Sequence, residues 1–338
     1  MKPSELPPFL SACWAAGQVP MILGAPGIAK TEIIHQESKA YGWTVDVRGA
    51  GEDPVEVGGF PFPDLVEKRV HRSPPWFWPG QNGRTGPGTI FLDEFGQTPQ
   101  SVQPMFLQLL RERRIGEHTL PPDVRLVAAS NRVAHRAGTH RLITPIKTRV
   151  ITTDLEVDVD DWSAWALQSG RVLHPVIYWV RFAPDVLREF EPDADTWSNP
   201  RTIEMASDLL RPNPPESLQL ALLTGAIGRS AGSLMSFLDV WRHMPSIDGI
   251  FMDPTGSPVP PADKPGARLA VCGGIAARVG VNSLEAAVAY LERFKAHDGR
   301  QQRELGEAMM KDALRRDPTL AHTPAGVRYA VKSHDLHV

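Results

Sequence analysis

The predicted fold is decided by the segment Pro20-Met-Ile-Leu-Gly-Ala-Pro-Gly-Ile-Ala-Lys-Thr31. An apolar run, Met21–Leu23, predicts a buried strand, Gly24 and Gly27 predict a turn, and Lys30-Thr31 begins a helix with apolar periodicity. Strand, glycine turn and helix in this order form a phosphate cradle. Backbone N–H groups close on phosphate oxygens, the lysine reaches the outer phosphates, and the threonine hydroxyl coordinates Mg²⁺. The segment therefore predicts a nucleotide site.

Ala29 departs from the pattern G-x-x-x-x-G-K-[ST], which has glycine directly before the lysine. Alanine tolerates helical dihedrals, and this position lies where the turn becomes a helix, so we expect a modest perturbation. The alternative interpretation is an ordinary strand-to-helix turn with a surface lysine. The predicted nucleotide-binding residues are Gly24, Ala25, Pro26, Gly27, Ile28, Ala29, Lys30, Thr31 and, further along the chain, Asp93.

Length and composition set the broad class of the protein. At 338 residues the chain is longer than one typical domain, so two domains are expected. Hydrophobic residues make up 42% and charged residues 22%, as in globular proteins. No apolar run approaches the roughly 20 residues that span a bilayer. The N-terminus lacks a basic segment followed by an apolar core, so we expect a cytoplasmic protein without membrane insertion.

Cysteine usage and net charge argue against further kinds of site and partner. Cys13 and Cys272 each stand alone, so neither a disulfide framework nor a zinc site of paired cysteines is expected. Thirty-six basic and 39 acidic residues give a net charge of −3, without a long basic block. Nucleic acid is therefore an unlikely main partner, because phosphate neutralisation usually shows as a basic face.

A second chemical signal is the apolar strand that ends in two carboxylates, Thr89-Ile-Phe-Leu-Asp-Glu94. The carboxyl edge of a parallel sheet is where α/β proteins bind ligands. There Asp93 would help to hold Mg²⁺, and Glu94 would polarise the attacking water. Acidic residues also end strands without a catalytic reason. That alternative is weaker here because the predicted phosphate cradle lies upstream of Asp93, at an ordinary sequence separation for two motifs of one nucleotide site.

Asn131 follows another predicted buried strand, Val124–Ser130. Its side chain could orient water against the terminal phosphate, although asparagine after a strand is usually a turn residue. The segment from Arg132 onwards is dense in basic side chains, any of which could be an arginine finger that acts on a neighbouring subunit. The alternative is a solvated helix face. The basic residues are Arg132, Arg136, Arg141, Lys147 and Arg149.

Between these motifs lies a glycine- and proline-rich stretch, Glu52–Asp64, which could be a functional loop or a plain connector. The aromatic triplet Trp76–Trp78 that follows is either a partner-binding surface or, more often for such triplets, a local core under a loop. After residue 155 the strands stop and helices are predicted to the end of the chain. The carboxylates of Asp158, Asp160 and Asp161 fit helix capping better than a calcium loop.

The order of these elements resembles the AAA+ ATPases, and within them the MoxR-like group. The matching motifs are Gly24–Thr31 as Walker A, Ile90–Glu94 as Walker B, and Val127–Asn131 as sensor 1. Thr144–Arg149 is similar to the segment that carries the arginine finger, which favours Arg149 over Arg141 and Arg136. Asn199-Pro-Arg-Thr202 is similar to sensor 2, whose arginine, here Arg201, contacts the nucleotide. The resemblance covers roughly residues 1–210.

The resemblance implies an AAA+ P-loop parallel-sheet αβα core over residues 1–155 and an all-α lid domain with a helical extension over residues 156–338. It implies a homo-oligomeric ring, often hexameric, that uses ATP and Mg²⁺ to remodel a client protein. Similar proteins frequently work with a partner that bears a von Willebrand factor A domain. The implied catalytic residues are Glu94, Asn131, Arg149 and Arg201, and the implied metal ligands are Thr31 and Asp93.

Two alternatives remain open at this point. One is a nucleotide-dependent assembly scaffold with little hydrolysis, which the replacement of glycine by Ala29 would permit. The other is a nucleic-acid translocase of the same fold, which would need a basic pore. A lone P-loop kinase fits less well, because it leaves Asn131 and Arg201 without a role.

Overall fold

The computed structural model describes residues 1–48, 53–66, 68–132, 142–191, 193–242, 244–261, 263–294 and 299–332. The chain divides into two compact units, Met1–Asp158 and Val159–Val338. The first unit combines strands and helices, and the described residues of the second are helical. This confirms the predicted fold class, a parallel-sheet αβα core followed by an all-α domain.

The first unit is built on one parallel sheet of five strands in the order β2-β5-β8-β1-β9. The other four strands pair as two antiparallel hairpins, β3 with β4 and β6 with β7. Because β5, β8 and β1 are adjacent and parallel, their carboxyl ends meet at one edge of the sheet. The strands are β1 Pro20–Gly24, β2 Trp43–Arg48, β3 Pro61–Asp64, β4 Arg69–Arg72, β5 Gly88–Asp93, β6 Arg114–Ile115, β7 His118–Thr119, β8 Val124–Asn131 and β9 Ile151–Asp154.

The helices of the first unit are α1 Leu6–Ala15, α2 Lys30–Lys39, α3 Pro54–Gly58, α4 Gln103–Glu112 and α5 Thr144–Lys147. The helix α4 begins five residues after Thr98, at Gln103. Thr98 precedes a proline, which disfavours helical dihedrals, and it has an extended ψ of 124°. A short 3-10 turn, Phe95–Gln97, and a further turn separate β5 from the helix.

Helices cover both faces of the sheet, and the central strands are apolar on both sides for that reason. Alternate residues of β5 and β8 point to opposite cores: Ile90 and Leu126 to one, Phe91 and Val127 to the other. The first core includes Phe106 of α4, and the second includes residues of α1 and α2 such as Leu10 and Ile34. This three-layer packing fixes the strand ends where the site lies.

The aromatic triplet divides between the core and the surface. Phe77 is fully buried and Trp78 is 5% exposed, and both belong to the core that includes Phe106. Trp76 is 42% exposed and packs edge-on against Phe77. The triplet is therefore mainly a local core, which was the more ordinary of its two interpretations.

The second unit contains α6 Val159–Ser169, α7 His174–Phe182, α8 Pro200–Leu210, α9 Glu216–Ile227, α10 Ala231–Arg242, α11 Ile247–Met252, α12 Pro265–Arg278, α13 Leu284–Glu292, α14 Gly299–Arg316 and α15 Pro324–Lys332. A 3-10 turn, Pro184–Leu187, follows α7. The helices α9 and α10 are separated at Gly228, whose φ of +57° cannot continue an α-helix. None of the described helices of the chain combines the length and apolar character needed to cross a membrane.

Candidate nucleotide site

Lys30 lies at the start of α2 with its ammonium group inside the turn that follows β1. The residue is 8% exposed. Its Nζ donates hydrogen bonds to the carbonyl oxygens of Gly24 at 3.1 Å and Ala25 at 2.8 Å, and to Oδ1 of Asn131 at 2.9 Å. A buried ammonium requires compensation by acceptors of this kind. The interpretation of Lys30 as a surface lysine is therefore wrong.

The backbone of the turn is left-handed at two positions, Gly27 with φ of +77° and Ala29 with φ of +70°. The expectation of helical dihedrals at Ala29 is wrong, because this residue is the N-cap of α2 and has ψ of 21°. Left-handed residues alternating with right-handed ones aim successive N–H groups into a concavity that binds anions. The first N–H groups of α2 also lack acceptors within the helix. The turn thus fits a phosphate group.

Thr31 and Asp93 provide the oxygen atoms for a hard cation. The Thr31 hydroxyl donates to Oδ2 of Asp93 at 3.2 Å, so the two side chains meet across the gap between α2 and β5. Hydroxyl, carboxylate and phosphate oxygens with retained water are the ligands that Mg²⁺ prefers. This pair fits a magnesium ion that is shared with a nucleotide. Elsewhere in the described residues, no cluster of three or more His, Cys, Asp or Glu is arranged to hold a metal.

Glu94 also has a left-handed backbone, with φ of 49° and ψ of 33°. Its N–H donates to Oδ1 of Asp93 at 2.8 Å, and its carbonyl accepts the N–H of Gln97 at 2.7 Å. Backbone strain in residues other than glycine is concentrated at functional sites, where surrounding contacts enforce it. The chain therefore leaves β5 at Glu94, directly after Asp93, through a strained turn that these two hydrogen bonds hold in place.

Asn131 is brought to the cradle by the register of the sheet. Gly24 pairs with Asn131 between β1 and β8, and Leu92 pairs with Ala128 between β5 and β8. The Lys30–Asn131 hydrogen bond follows directly from the first pairing. Lys30, Thr31, Asp93 and Asn131 thus form one connected group, and Glu94 follows Asp93.

Arg149 and Arg201, the two predicted catalytic arginines, lie just after α5 and in the first turn of α8. Arg149 follows α5; its guanidinium donates to the carbonyl of Pro145, and its Nε is buried without a hydrogen-bond partner in the described part of the chain. Arg136 and Arg141, the other candidates for the finger, lie outside the described residues. Arg132 forms an ion pair with Asp154. Arg201 belongs to the second unit, in the first turn of α8, which Asn199 caps.

Two buried polar side chains near the site were missed by sequence reasoning. Ser130 is 3% exposed, and its hydroxyl accepts the N–H of Gly96 at 3.1 Å. Gln103 is fully buried, donates to the carbonyl of Thr98 at 3.0 Å and accepts the N–H of Ile143 at 2.9 Å. A polar residue at the end of an apolar strand or helix was the available signal, but it does not tell which backbone group the side chain will meet.

The two hairpins of the first unit are joined through Glu117. Its carboxylate accepts the N–H of Arg72 and contacts the ring of His71, both at 3.1 Å. These two hydrogen bonds lower the pKa of Glu117. The segment around β3 and β4 also carries exposed apolar side chains, at Phe60, Phe62, Leu65, Val66 and Val70.

Comparison with known proteins adds a family match over part of the chain. Residues 79–150 match the Sigma-54 interaction domain. That range contains Asp93, Glu94, Asn131 and Arg149 and excludes the cradle. The match covers 72 of the 338 residues, all within the first unit.

Curated relatives match only short parts of the sequence. The DNA-binding transcriptional activator HyfR of Escherichia coli K12 is 49% identical over 49 residues, which are 13% of this chain and 7% of HyfR. Limonene hydroxylase of Geobacillus stearothermophilus is 34% identical over 119 residues, 33% of this chain and 22% of that protein. The chain thus spans less than a quarter of either relative. Among solved structures, NtrX of Brucella abortus is 16% identical, with a TM-score of 0.40 over 90% of this chain and 66% of NtrX.

Proposed function

We propose that this protein is a MoxR-like AAA+ ATPase, which hydrolyses ATP in an oligomeric ring and uses the energy to remodel a partner protein. The observation that carries the proposal is the connected group at the carboxyl edge of the sheet. Lys30 Nζ lies 2.9 Å from Asn131 Oδ1, and Thr31 Oγ1 lies 3.2 Å from Asp93 Oδ2. An ammonium, an amide and a metal-ligand pair in one place are the parts that phosphoryl transfer needs.

The residues of the cradle would bind the triphosphate. The turn from Gly24 to Ala29 supplies N–H groups, and Lys30 would exchange its present carbonyl acceptors for the outer phosphate oxygens. Thr31 and Asp93 would hold Mg²⁺, which when bound supplies positive charge to the β- and γ-phosphates. The ammonium and the N–H groups stabilise negative charge without rearrangement during the reaction, so positioning and charge account for the catalysis.

Glu94 and Asn131 would act on the attacking water. The Glu94 carboxylate would accept its proton, and the Asn131 amide, released from Lys30, would orient it or contact the γ-phosphate. Arg149 would complete the site of a neighbouring subunit, and Arg201 would contact the nucleotide from the helical domain.

The decisive substitution is Glu94→Gln. It keeps the shape of the side chain and removes the base, so we expect tight ATP binding with phosphate release lowered by about 10²- to 10⁴-fold. Binding is measured by nucleotide fluorescence and turnover by phosphate release. Glu112→Gln, an exposed glutamate on α4, is the matched control and should leave both unchanged. Phosphate release from Glu94→Gln at the wild-type rate would refute the role of Glu94.

Ring formation and the partner are tested separately. Negative-stain images with and without ATP show whether the nucleotide assembles a closed ring, as a trans role of Arg149 requires. The apolar side chains around β3 and β4, including the exposed Leu65 and Val66, are where we place contact with the client. A partner with a von Willebrand factor A domain is the first candidate, and stimulation of turnover by such a protein is the test.

One alternative retains an observation in its favour. The left-handed Ala29 strains the cradle at the residue next to Lys30, which would suit a scaffold that assembles on ATP and turns it over slowly. Steady-state phosphate release, measured with and without the partner, separates the two functions. A rate that stays near zero in both conditions, while ATP still assembles the ring, favours the scaffold.

A further inference from the structure

The turn that carries Glu94 is tied to the neighbouring strand by one buried hydroxyl group. Backbone pairing between β5 and β8 extends to Leu92 and Ala128. Beyond that point the chain turns away from β8 at Glu94. Ser130 bridges the gap, because its Oγ accepts the N–H of Gly96 at 3.1 Å. A side chain thus continues the connection where the ladder of backbone hydrogen bonds ends.

The Ser130 hydroxyl both accepts and donates a hydrogen bond. It accepts from Gly96 and donates to the carbonyl of Asn131 at 2.9 Å. Ser130 is 3% exposed and Gly96 is buried, so water does not replace either hydrogen bond easily. A hydrogen bond between buried groups is costly to lose, since the group left behind keeps its desolvation penalty.

The turn needs an external restraint. Glu94 has a left-handed backbone, and the hydrogen bonds to Asp93 and from Gln97 are internal to the turn. Internal bonds fix the shape of a turn without fixing its position relative to another strand. Phe95, fully buried against Phe106 at 5.3 Å between ring centroids, anchors the apolar side of the turn. Ser130 anchors its polar side to β8.

The other neighbours of Ser130 belong to the phosphate cradle. Ser130 pairs with Leu23 of β1, and the next pair joins Gly24 to Asn131. The Oδ1 atom of Asn131 accepts the hydrogen bond from Lys30 Nζ. We infer that Ser130 is a positioning residue for ATP hydrolysis: it sets the distance between the Glu94 carboxylate and the Asn131–Lys30 pair. The inference rests on the proposed function, because it assigns a role within that reaction.

The test compares Ser130→Ala with Ser38→Ala. Ser38 is also fully buried in the first unit, and its hydroxyl has no hydrogen-bond partner in the described residues, so its removal controls for loss of a buried oxygen. For Ser130→Ala we expect kcat to fall by about 10- to 100-fold, because a displaced catalytic group slows the chemical step. The dissociation constant for ATP should change by less than about 2-fold, because Lys30 and the cradle are unaltered. Ser130→Thr keeps the hydroxyl and should restore kcat to within about 3-fold.

Hydrogen exchange tests the link without relying on turnover. In Ser130→Ala the amides of Phe95–Gln97 should exchange about 5- to 10-fold faster than in the wild type, and in Ser38→Ala at the wild-type rate. Unchanged exchange at these amides overturns the inference, as does an unchanged kcat in Ser130→Ala or an equal loss in Ser38→Ala. If the wild type releases no phosphate, the proposed function fails, whereas the exchange result still decides whether Ser130 holds the turn.

Discussion

Ala29→Gly should stabilise the protein, although replacing alanine by glycine usually does the reverse. Ala29 has φ of +70° and ψ of 21°. This left-handed conformation costs a residue with a Cβ about 1–2 kcal/mol. Glycine removes that cost, but it also gives the unfolded chain more conformational freedom, which lowers the stability of the folded protein by about 0.4–1 kcal/mol. The difference leaves Ala29→Gly more stable by about 0.8 kcal/mol at the midpoints of the two ranges, which together span about 0–1.6 kcal/mol.

The matched control is Ala40→Gly at the other end of α2. Ala40 has φ of −68° and ψ of −21°, which is right-handed and unstrained for alanine. Glycine at this position therefore only increases the conformational freedom of the unfolded chain, and the protein should be less stable by about 0.4–1 kcal/mol. Urea unfolding is the assay, and a shift of the midpoint at constant m-value reports stability. The two variants should move the midpoint in opposite directions. If Ala29→Gly lowers it as much as Ala40→Gly does, the strain assigned to Ala29 is not present in the folded protein.

Two further predictions concern buried groups. Gln103→Leu leaves the Thr98 carbonyl and the Ile143 N–H without their partner, so the free energy of unfolding in urea should fall by about 2–4 kcal/mol. The control is Gln36→Leu on the exposed face of α2, which should change that free energy by no more than about 0.5 kcal/mol. Burial raises the pKa of Cys272 to about 12 and raises the pKa of Cys13, so at pH 8 neither thiol should react with a disulfide reagent until urea is added. The unfolded thiols ionise first as the pH rises above about 8.5, so stability should fall between there and pH 12; labelling of the native protein at the unfolded rate would contradict the burial.

The sheet and the meeting of Lys30, Asp93 and Asn131 were predictable because they depend on chain order and on strand ends. Buried strands that alternate with helices form a parallel sheet, and the polar residues at their carboxyl ends then share one edge. Asp93 and Asn131 each stand at the end of an apolar run, and the glycine turn precedes Lys30. The register that pairs Gly24 with Asn131 then determines which residue at the end of β8 lies beside the cradle.

The conformation of Ala29 was not predictable in the same way. Residues with a Cβ ordinarily have φ below zero, including those that cap the N-terminus of a helix, whereas Ala29 in this turn has φ of +70°. Ser130 was missed for a related reason. A serine at the end of a strand predicts a turn residue, and nothing in the sequence indicates that Gly96 is its hydrogen-bond partner.

The second unit shows where periodicity fails as a signal. In α9, Leu218 and Leu220 are about half exposed while Leu223 and Ile227 are buried, so apolar residues lie all round the helix and give no marked face. Three glycines, at 225, 228 and 232, then look alike in sequence. A Cβ at Gly228 would lie 2.6 Å from the carbonyl oxygen of Thr196, whereas one at Gly225 or Gly232 would meet nothing within 4 Å. The helix therefore breaks at a tertiary contact that the local sequence does not contain.

The strand β8 is the element on which the site depends most. On one side it pairs with β1 and places Asn131 beside Gly24 and Lys30; on the other it pairs with β5 and, through Ser130, holds the turn after Asp93. Because β8 contacts both the cradle that carries Lys30 and the turn that carries Glu94, it sets the separation of these two residues. A change that shifts the end of this strand should therefore alter binding and hydrolysis together, whereas loss of the Ser130 hydroxyl should alter hydrolysis alone.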